Sequence, residues 1–266
     1  MARKIKCQVE RVTNHGDRVY TVELNPGRPF PAFRPGQFLH LAVDEYDPSG
    51  FWPESRVFSI ASSPQDRDQL VISYSVKGVY TTRMERELAL GKHVWVKLPY
   101  GDFVVDGTRD VVLIAGGTGI TAFRAFISGL KADHGQRVRL LYGARKRELL
   151  LGMELIEQKR KDVASFDVVY FSERDTHPWP RQGGERVRID PLLGGVGVGS
   201  VGGVAPLQPD PVILSGRVRL DVLADCCFDG SPVYYLAGPP VMLTAFRQEL
   251  AQCGVPEADI RVDAWE

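Results

Sequence analysis

The chain has 266 residues, a length that suits two ordinary domains, and its 33 basic residues balance its 33 acidic ones. With zero formal net charge and no basic tract interleaved with aromatics, a nucleic-acid partner is not expected. No window approaches the ~20 apolar residues of a membrane span, and Met1-Ala2-Arg3-Lys4-Ile5-Lys6 lacks an apolar signal core, so a soluble, cytoplasmic protein is the expectation.

From about residue 5 to residue 105 the chain reads as short strands broken by glycine and proline. The clearest are 18–23, 37–43, 70–76 and 93–98, with turns at Asn25-Pro26-Gly27 and Arg34-Pro35-Gly36. Evenly spaced short strands with turn signals predict an antiparallel β-barrel. Within it, Glu54-Ser55-Arg56-Val57-Phe58-Ser59-Ile60 alternates so that Arg56, Phe58 and Ile60 share one face and Val57 and Ser59 the other. An arginine beside an aromatic suits a cofactor with a pyrophosphate and a flat ring. The same residues also suit an ordinary barrel strand with a surface arginine and a core phenylalanine. One helix interrupts the strands, predicted over 81–90 with Thr81 as N-cap and Gly91 as the C′ residue.

From residue 109 onward strands and helices alternate. Strands are predicted at 111–115, 138–143, 166–171 and 233–237, and helices at 122–131, 148–161 and 241–253. That alternation predicts a parallel sheet with helices on its faces, and a ligand at the carboxyl ends of the strands. The loops there are 116–121, 143–147, 172–175 and 238–242. The first is the most informative. Val111-Val112-Leu113-Ile114-Ala115 empties into Gly116-Gly117-Thr118-Gly119-Ile120-Thr121, which leaves backbone N–H groups bare where a helix dipole favours an anion. The spacing is not Gly-x-Gly-x-x-Gly, and alone it fits a phosphate cradle and a tight strand–helix turn equally.

Cys7, Cys226, Cys227 and Cys253 contain neither Cys-x-x-Cys nor the plant-type iron–sulfur spacing, and the five histidines lack metal-ligand spacing. No metal site is predicted.

Taken together, four segments resemble the ferredoxin–NADP reductase superfamily, in that family's order and over nearly the whole chain. Arg56-Val57-Phe58-Ser59 resembles its Arg-x-Tyr-Ser flavin motif. Gly78-Val79-Tyr80-Thr81 resembles its Gly-x-x-Ser/Thr turn on the flavin pyrophosphate. Gly116 to Thr121 resembles its nicotinamide-dinucleotide pyrophosphate loop. Leu236-Ala237-Gly238-Pro239-Pro240-Val241-Met242 resembles its Cys-Gly-Pro-Pro-x-Met segment. The chain also ends in Asp263-Ala264-Trp265-Glu266, similar to the family's Glu-x-aromatic close.

The resemblance implies an FAD-binding β-barrel domain over 1–106 and an NAD(P)-binding α/β domain over 107–266. It implies hydride transfer from NADH or NADPH to FAD, with FAD favoured over FMN. Arg56 would pair with the flavin pyrophosphate, Phe58 would stack on the ring, and Ser59 would place a hydroxyl near N5. Val57, Tyr74, Val76, Gly78, Tyr80, Thr81 and Thr82 would complete the flavin cradle. Gly117, Thr118, Gly119, Gly238, Pro239 and Met242 would hold the nicotinamide dinucleotide. Trp265 would be a lid over the flavin, and Asp263 a proton relay. NADPH-specific relatives carry Ser-Arg where this chain has Ser172-Glu173; the carboxylate favours NADH, while Arg145 and Arg174 oppose it. Phe58 stands where the family has Tyr, and Ala237 where it often has Cys.

The implied activity is that of a reductase without its own iron–sulfur domain. Its electrons would go to a ferredoxin, an oxygenase component, a partner subunit, or a small acceptor such as free flavin or a ferric chelate. The alternative is a non-catalytic or regulatory subunit that keeps the fold, supported by Ala237 and a Gly-rich stretch. That stretch, near 183–214, is longer than the family's connection and reads as an insertion.

Overall fold

The computed structural model describes residues 2–174, 211–223, 228 and 230–263. Six strands form the first sheet: β1 (Arg3–Asn14), β2 (Val19–Asn25), β3 (Phe38–Ala42), β4 (Arg56–Ser59), β5 (Leu70–Ser75) and β6 (His93–Tyr100). Their order is β4-β3-β6-β1-β2-β5, every neighbour antiparallel. Period-two alternation gives the sheet its inside. Along β1, Ile5, Cys7 and Val9 are buried while Lys4, Lys6 and Gln8 stay exposed. Burial pushes the Cys7 thiol up to about 12, so it behaves as a small hydrophobe.

The two edge strands approach one another. Ala61 N–H donates to the Val71 carbonyl at 2.9 Å, and the Phe58 and Tyr74 rings lie 6.0 Å apart. The result is a near-closed barrel.

The second sheet contains β7 (Val111–Gly116), β8 (Val138–Ala144), β9 (Phe166–Ser172), β10 (Val212–Ser215), β11 (Val233–Ala237) and β12 (Ile260–Asp263), in the order β10-β9-β8-β7-β11-β12 and parallel throughout. The continuous apolar run of β7 follows from burial on both faces. Val111, Leu113 and Ala115 pack with Phe123 and Ile127 of helix α2 (Thr121–Gly129), while Val112 and Ile114 pack with Leu243, Phe246 and Leu250 of α4 (Pro240–Gln252). Helix α3 (Met153–Asp162) lies beside α2.

Three expectations need correction. The helix expected at 81–90 is α1 (Val79–Glu87), with Gly78 as its extended N-cap. Thr81 sits at the third helical position instead, and its hydroxyl folds back to accept from Gly78 N–H (3.1 Å) and Lys77 N–H (2.9 Å). The same hydroxyl that suggests an N-cap therefore works backwards, as the acceptor of a capping box. The helix closes at Leu88, and Gly91, at φ +83°, belongs to a turn that follows.

The helix expected at 148–161 is interrupted. A single 3₁₀ turn (Arg147–Leu149) precedes Gly152 at φ +73°, and α3 starts only after it. The buried Tyr142 hydroxyl sets this break, accepting from Leu151 N–H (2.7 Å) and donating to the Leu149 carbonyl (3.3 Å). Finally, Val212–Ser215 pairs with β9, so the last residues of the expected insertion belong to the sheet. Residues 183–210 of that insertion, Cys226, Cys227 and Trp265 lie outside the described residues.

Candidate functional site

Between the barrel and the carboxyl edge of the parallel sheet lies a cleft of about 1070 Å³. Its floor is the turn that leaves β7. Gly116 is extended, Gly117 has φ +54°, and a 3₁₀ turn (Gly117–Ile120) runs directly into α2. Glycine is required here by what lies behind the loop. A methyl group on Gly119 would overlap the Ala237 carbonyl, and one on Gly116 would meet the Met242 sulfur at 2.6 Å. Thr121 donates its hydroxyl to the Thr118 carbonyl at 2.8 Å and leaves the first N–H groups of the turn without a side-chain cap.

Gly238, Pro239 and Met242 stand beside this turn, with Asp263. Register explains the grouping. Ala115 faces Ala237, and Ala237 faces Asp263, so the ends of β7, β11 and β12 meet at one level. Asp263 is buried.

The opposite wall comes from the barrel edge: Val57, Phe58 and Ser59 of β4, and Ser73, Tyr74, Ser75, Val76 and Lys77 from β5 and just beyond. Both faces of β4 reach the cleft because its outer side has no strand neighbour. Tyr74 lies between the rings of Phe58 and Tyr20, stacked on the latter at 5.5 Å. Its phenol is buried, which raises its pKa, and makes no hydrogen bond among the described residues. A buried donor without a partner is costly unless a ligand or water meets it.

Arg56, Gly78, Thr81 and Thr82 lie outside the cleft lining, on the surface that continues from Val76 and Lys77. Arg56 is ion-paired with Glu54 (2.9 Å), and its guanidinium stands 4.7 Å from the Tyr80 ring centre. Tyr80 is buried; its hydroxyl accepts from Val43 N–H (3.1 Å) and lies 3.0 Å from the carbonyls of Leu41 and Glu54. It is a platform under Arg56. In the first turn of α1, the N–H groups of Val79, Tyr80 and Thr81 have no intrahelical acceptor.

At the far end of the cleft Arg145, Glu173 and Arg217 face one another, with Glu173 and Arg217 at 3.7 Å, whereas Ser172 is buried in β9. Sequence reasoning missed Arg217, Val218 and Asp17 here. Arg217 comes from a chain segment remote from Glu173, brought in by the β9–β10 pairing, in which Gly216 N–H donates to the Ser172 carbonyl at 2.8 Å. Asp17 stands in a glycine turn that carries only a generic turn signal. Among the described residues there is no cluster of potential metal ligands, and no helix is long and apolar enough to cross a membrane.

Comparison with known proteins agrees with this layout. The oxidoreductase NAD-binding domain family matches residues 113–191. The reductase component of phenol 2-monooxygenase from Pseudomonas sp. (strain CF600) is 32% identical over 147 residues, covering 53% of this chain and 40% of that protein. A flavohemoprotein from Bordetella pertussis is 27% identical over 271 residues, covering 97% of this chain and 60% of the relative. The chain thus spans 40% and 60% of the lengths of these two relatives. The flavohem-like FAD/NAD binding domain of nitric oxide dioxygenase from Vibrio cholerae shares the fold, with a TM-score of 0.70 at 18% identity and 99% coverage of both chains.

Proposed function

Since the chain belongs to the ferredoxin–NADP reductase superfamily of FAD- and NAD(P)H-dependent reductases, we propose that it oxidises NAD(P)H at the inter-sheet cleft and hands the electrons to a separate acceptor. The observation that carries this reading is that one cleft joins the Phe58–Ser59 wall to the Gly117–Gly119 turn and the Gly238–Met242 loop. The residues fit an FAD. Tyr74 offers a buried, unsatisfied phenol beside Phe58, and open backbone N–H groups lie at the start of α1. FAD, when bound, supplies the hydride acceptor and the store from which electrons leave.

The protein's own part is to bind, orient and exclude water. Phe58 would pack on the flat ring, Ser59 would donate its hydroxyl hydrogen to it, and Tyr74 would back Phe58. Arg56 would exchange Glu54 for the pyrophosphate, helped by the first-turn N–H groups of α1, Thr81 and Thr82. Gly117, Thr118 and Gly119 present N–H groups to the second pyrophosphate. Gly238, Pro239 and Met242 would shape the nicotinamide seat, with Asp263 beside them as the proton relay.

Glu173 repels a 2′-phosphate and accepts from a ribose hydroxyl, so NADH is the favoured donor. A ferredoxin or oxygenase component is the favoured acceptor, because one relative is itself a reductase component of a monooxygenase. The test is the absorption spectrum of the purified protein, reconstituted with FAD and titrated anaerobically with NADH and NADPH. Flavin bands bleached by NADH are the expected result. A protein that fails to retain FAD, or a bound flavin that neither donor bleaches, would overturn the reading.

A further inference from the structure

The tip of the β1–β2 hairpin reaches both halves of the molecule. Asp17 (φ +48°) and Arg18 (φ +59°) are the only non-glycine residues with positive φ among those described, and they are consecutive. A tight hairpin turn takes positive φ at both central residues because that twist matches the strands it joins, and it fixes the directions in which the Asp17 and Arg18 side chains leave the turn. The turn is closed by Gly16 N–H to Asn14 Oδ1 (2.8 Å), Val19 N–H to the Gly16 carbonyl (2.9 Å) and His15 N–H to the Val19 carbonyl (2.9 Å).

Its geometry sends adjacent side chains to opposite halves of the molecule. The Asp17 carboxylate accepts from Lys146 Nζ at 3.0 Å, in the loop after β8 that also carries the cleft residue Arg145. That hydrogen bond holds the Asp17 carboxyl below its usual range, with Lys146, Arg145 and Arg174 adding charge attraction. Arg18 turns the other way and grips Glu85 of α1, with Nε 3.1 Å from Oε1 and Nη2 2.5 Å from Oε2. Tyr20 donates to the same Glu85 at 2.9 Å. The Arg18 carbonyl accepts from Val76 N–H (3.0 Å), on the cleft wall just before α1. Val19, next in the chain, is buried in the core of the α/β unit, together with Leu113, Ile120 and Ala144.

The hairpin tip therefore touches the loops of the nicotinamide half with Asp17 and Val19, and the helix and wall of the flavin half with Arg18 and Tyr20. Through Tyr20 it also backs the stacked Tyr74 and, beyond that, Phe58. Exposed ion pairs add little to stability; what these two contacts can set is the geometry between the two halves of the cleft. An ångström of misplacement costs about a hundredfold in rate.

We propose that the Asp17–Arg18 turn is a positioning strut that fixes the two halves of the cleft against each other, so that it sets the rate of hydride transfer more than the affinity for either cofactor. This rests on the reading of the cleft above. In that step the hydride leaves C4 of the reduced nicotinamide and joins the flavin, leaving oxidised nicotinamide and reduced flavin, and neither Asp17 nor Arg18 touches the reacting atoms.

The experiment compares the parent with Asp17→Asn, Lys146→Met and the conservative Lys146→Arg. Expected for Asp17→Asn and Lys146→Met is roughly a tenfold slower anaerobic flavin reduction at saturating NADH, with the dissociation constant for FAD within about twofold and little change in melting temperature. Lys146→Arg keeps the charge and should keep most of the rate. Amide hydrogen exchange in the flavin-free protein gives a readout independent of turnover: segments 144–149 and 76–82 should exchange faster in Asp17→Asn and Lys146→Met and at the parental rate in Lys146→Arg. The strut is overturned by a parental rate in Asp17→Asn, by a rate loss matched by lost FAD affinity or stability, by unchanged exchange, or by Lys146→Arg behaving like Lys146→Met. A parent that binds no FAD or is not reduced by NADH overturns the proposed function instead, and the exchange measurement still decides the strut.

Discussion

Two helix starts in this molecule are candidates to hold a phosphate, and they are built by opposite means. At the start of α1, Gly78 is extended, with no described residue within 4 Å of where a Cβ would stand. Side chains furnish that site: Arg56 on its Tyr80 platform, and the Thr81 hydroxyl folded back on the turn. The start of α2 has no side-chain furniture. Gly116 and Gly119 are pressed from behind by Ala237, Pro239 and Met242, Gly117 is set by its positive φ, and what they present to the cleft is backbone. A glycine therefore means different things at the two places. At Gly119 the protein itself demands it; at Gly78, the N-cap of α1, no described residue does.

The sharpest way to break this contrast is to add one methyl group at each place. Gly119→Ala drives a Cβ into the Ala237 carbonyl, and backbone cannot yield as a side-chain tip can. A loss of about 3 kcal/mol or outright misfolding is expected in thermal or urea melts. Gly78→Ala should cost less than about 1 kcal/mol, because an extended N-cap tolerates alanine with only a capping penalty, while flavin affinity falls. Equal stability losses at the two positions would erase the distinction.

Arg56→Ala asks whether the side-chain site is a phosphate site at all. The Arg56–Glu54 pair is exposed, so stability should change little. Loss of a charge-assisted contact to pyrophosphate should weaken FAD by about a hundredfold, or ~2–3 kcal/mol. Fluorescence titration of the flavin-free protein measures it, and normal FAD affinity would remove Arg56 from the cradle.

The two halves were not equally legible in the sequence. The strands Val111–Gly116 and Val233–Ala237 announce themselves, since burial on both faces leaves an unbroken apolar run, and a glycine-dense turn after such a run marks the carboxyl edge. The gathering of Phe58, Ser59, Gly117, Thr118, Gly119, Gly238, Met242 and Asp263 around one cleft was likewise within reach. What escaped was whatever depends on a partner distant in the chain. Thr81 reads as a cap facing forward because its target N–H groups precede it. The break before α3 is imposed by Tyr142, and the final strand pairings of Val212–Ser215 and Ile260–Asp263 rest on short segments without strong periodicity. Arg217 beside Glu173 and Lys146 beside Asp17 are meetings that no local pattern encodes.

The coenzyme end of the cleft sharpens the comparison further, because there a side chain does intrude on the backbone-built half. Glu173 lies 3.7 Å from Arg217, so the site holds a carboxylate and a guanidinium in loose contact. Glu173→Arg would turn that pair into two cations beside Arg145. The NADPH:NADH ratio of kcat/KM should rise tenfold or more, about 1.4 kcal/mol of discrimination. An unchanged ratio would show that the adenosine ribose is held elsewhere.

The smallest expected effect is the most discriminating for the side-chain-built site. The Thr81 hydroxyl accepts from Lys77 N–H at 2.9 Å and from Gly78 N–H at 3.1 Å. Thr81→Val keeps the shape and removes the acceptor. Both N–H groups lie at an exposed turn where water can take over, so the stability loss should be only about 1 kcal/mol, a few degrees in Tm. If the hydroxyl does no more than close the capping box, FAD affinity should fall by no more than that loosening of the turn explains, and Thr81→Ser should be indistinguishable from the parent in both respects. If it also reaches the pyrophosphate, Thr81→Val should lose about tenfold in FAD affinity beyond its stability cost while Thr81→Ser retains it. The control is Thr121→Val in the other half, where the hydroxyl donates to the Thr118 carbonyl and points no acceptor at a turn N–H. That variant should leave FAD affinity at the parental value, and a comparable loss there would mean that the two helix starts do not divide the cofactors between them.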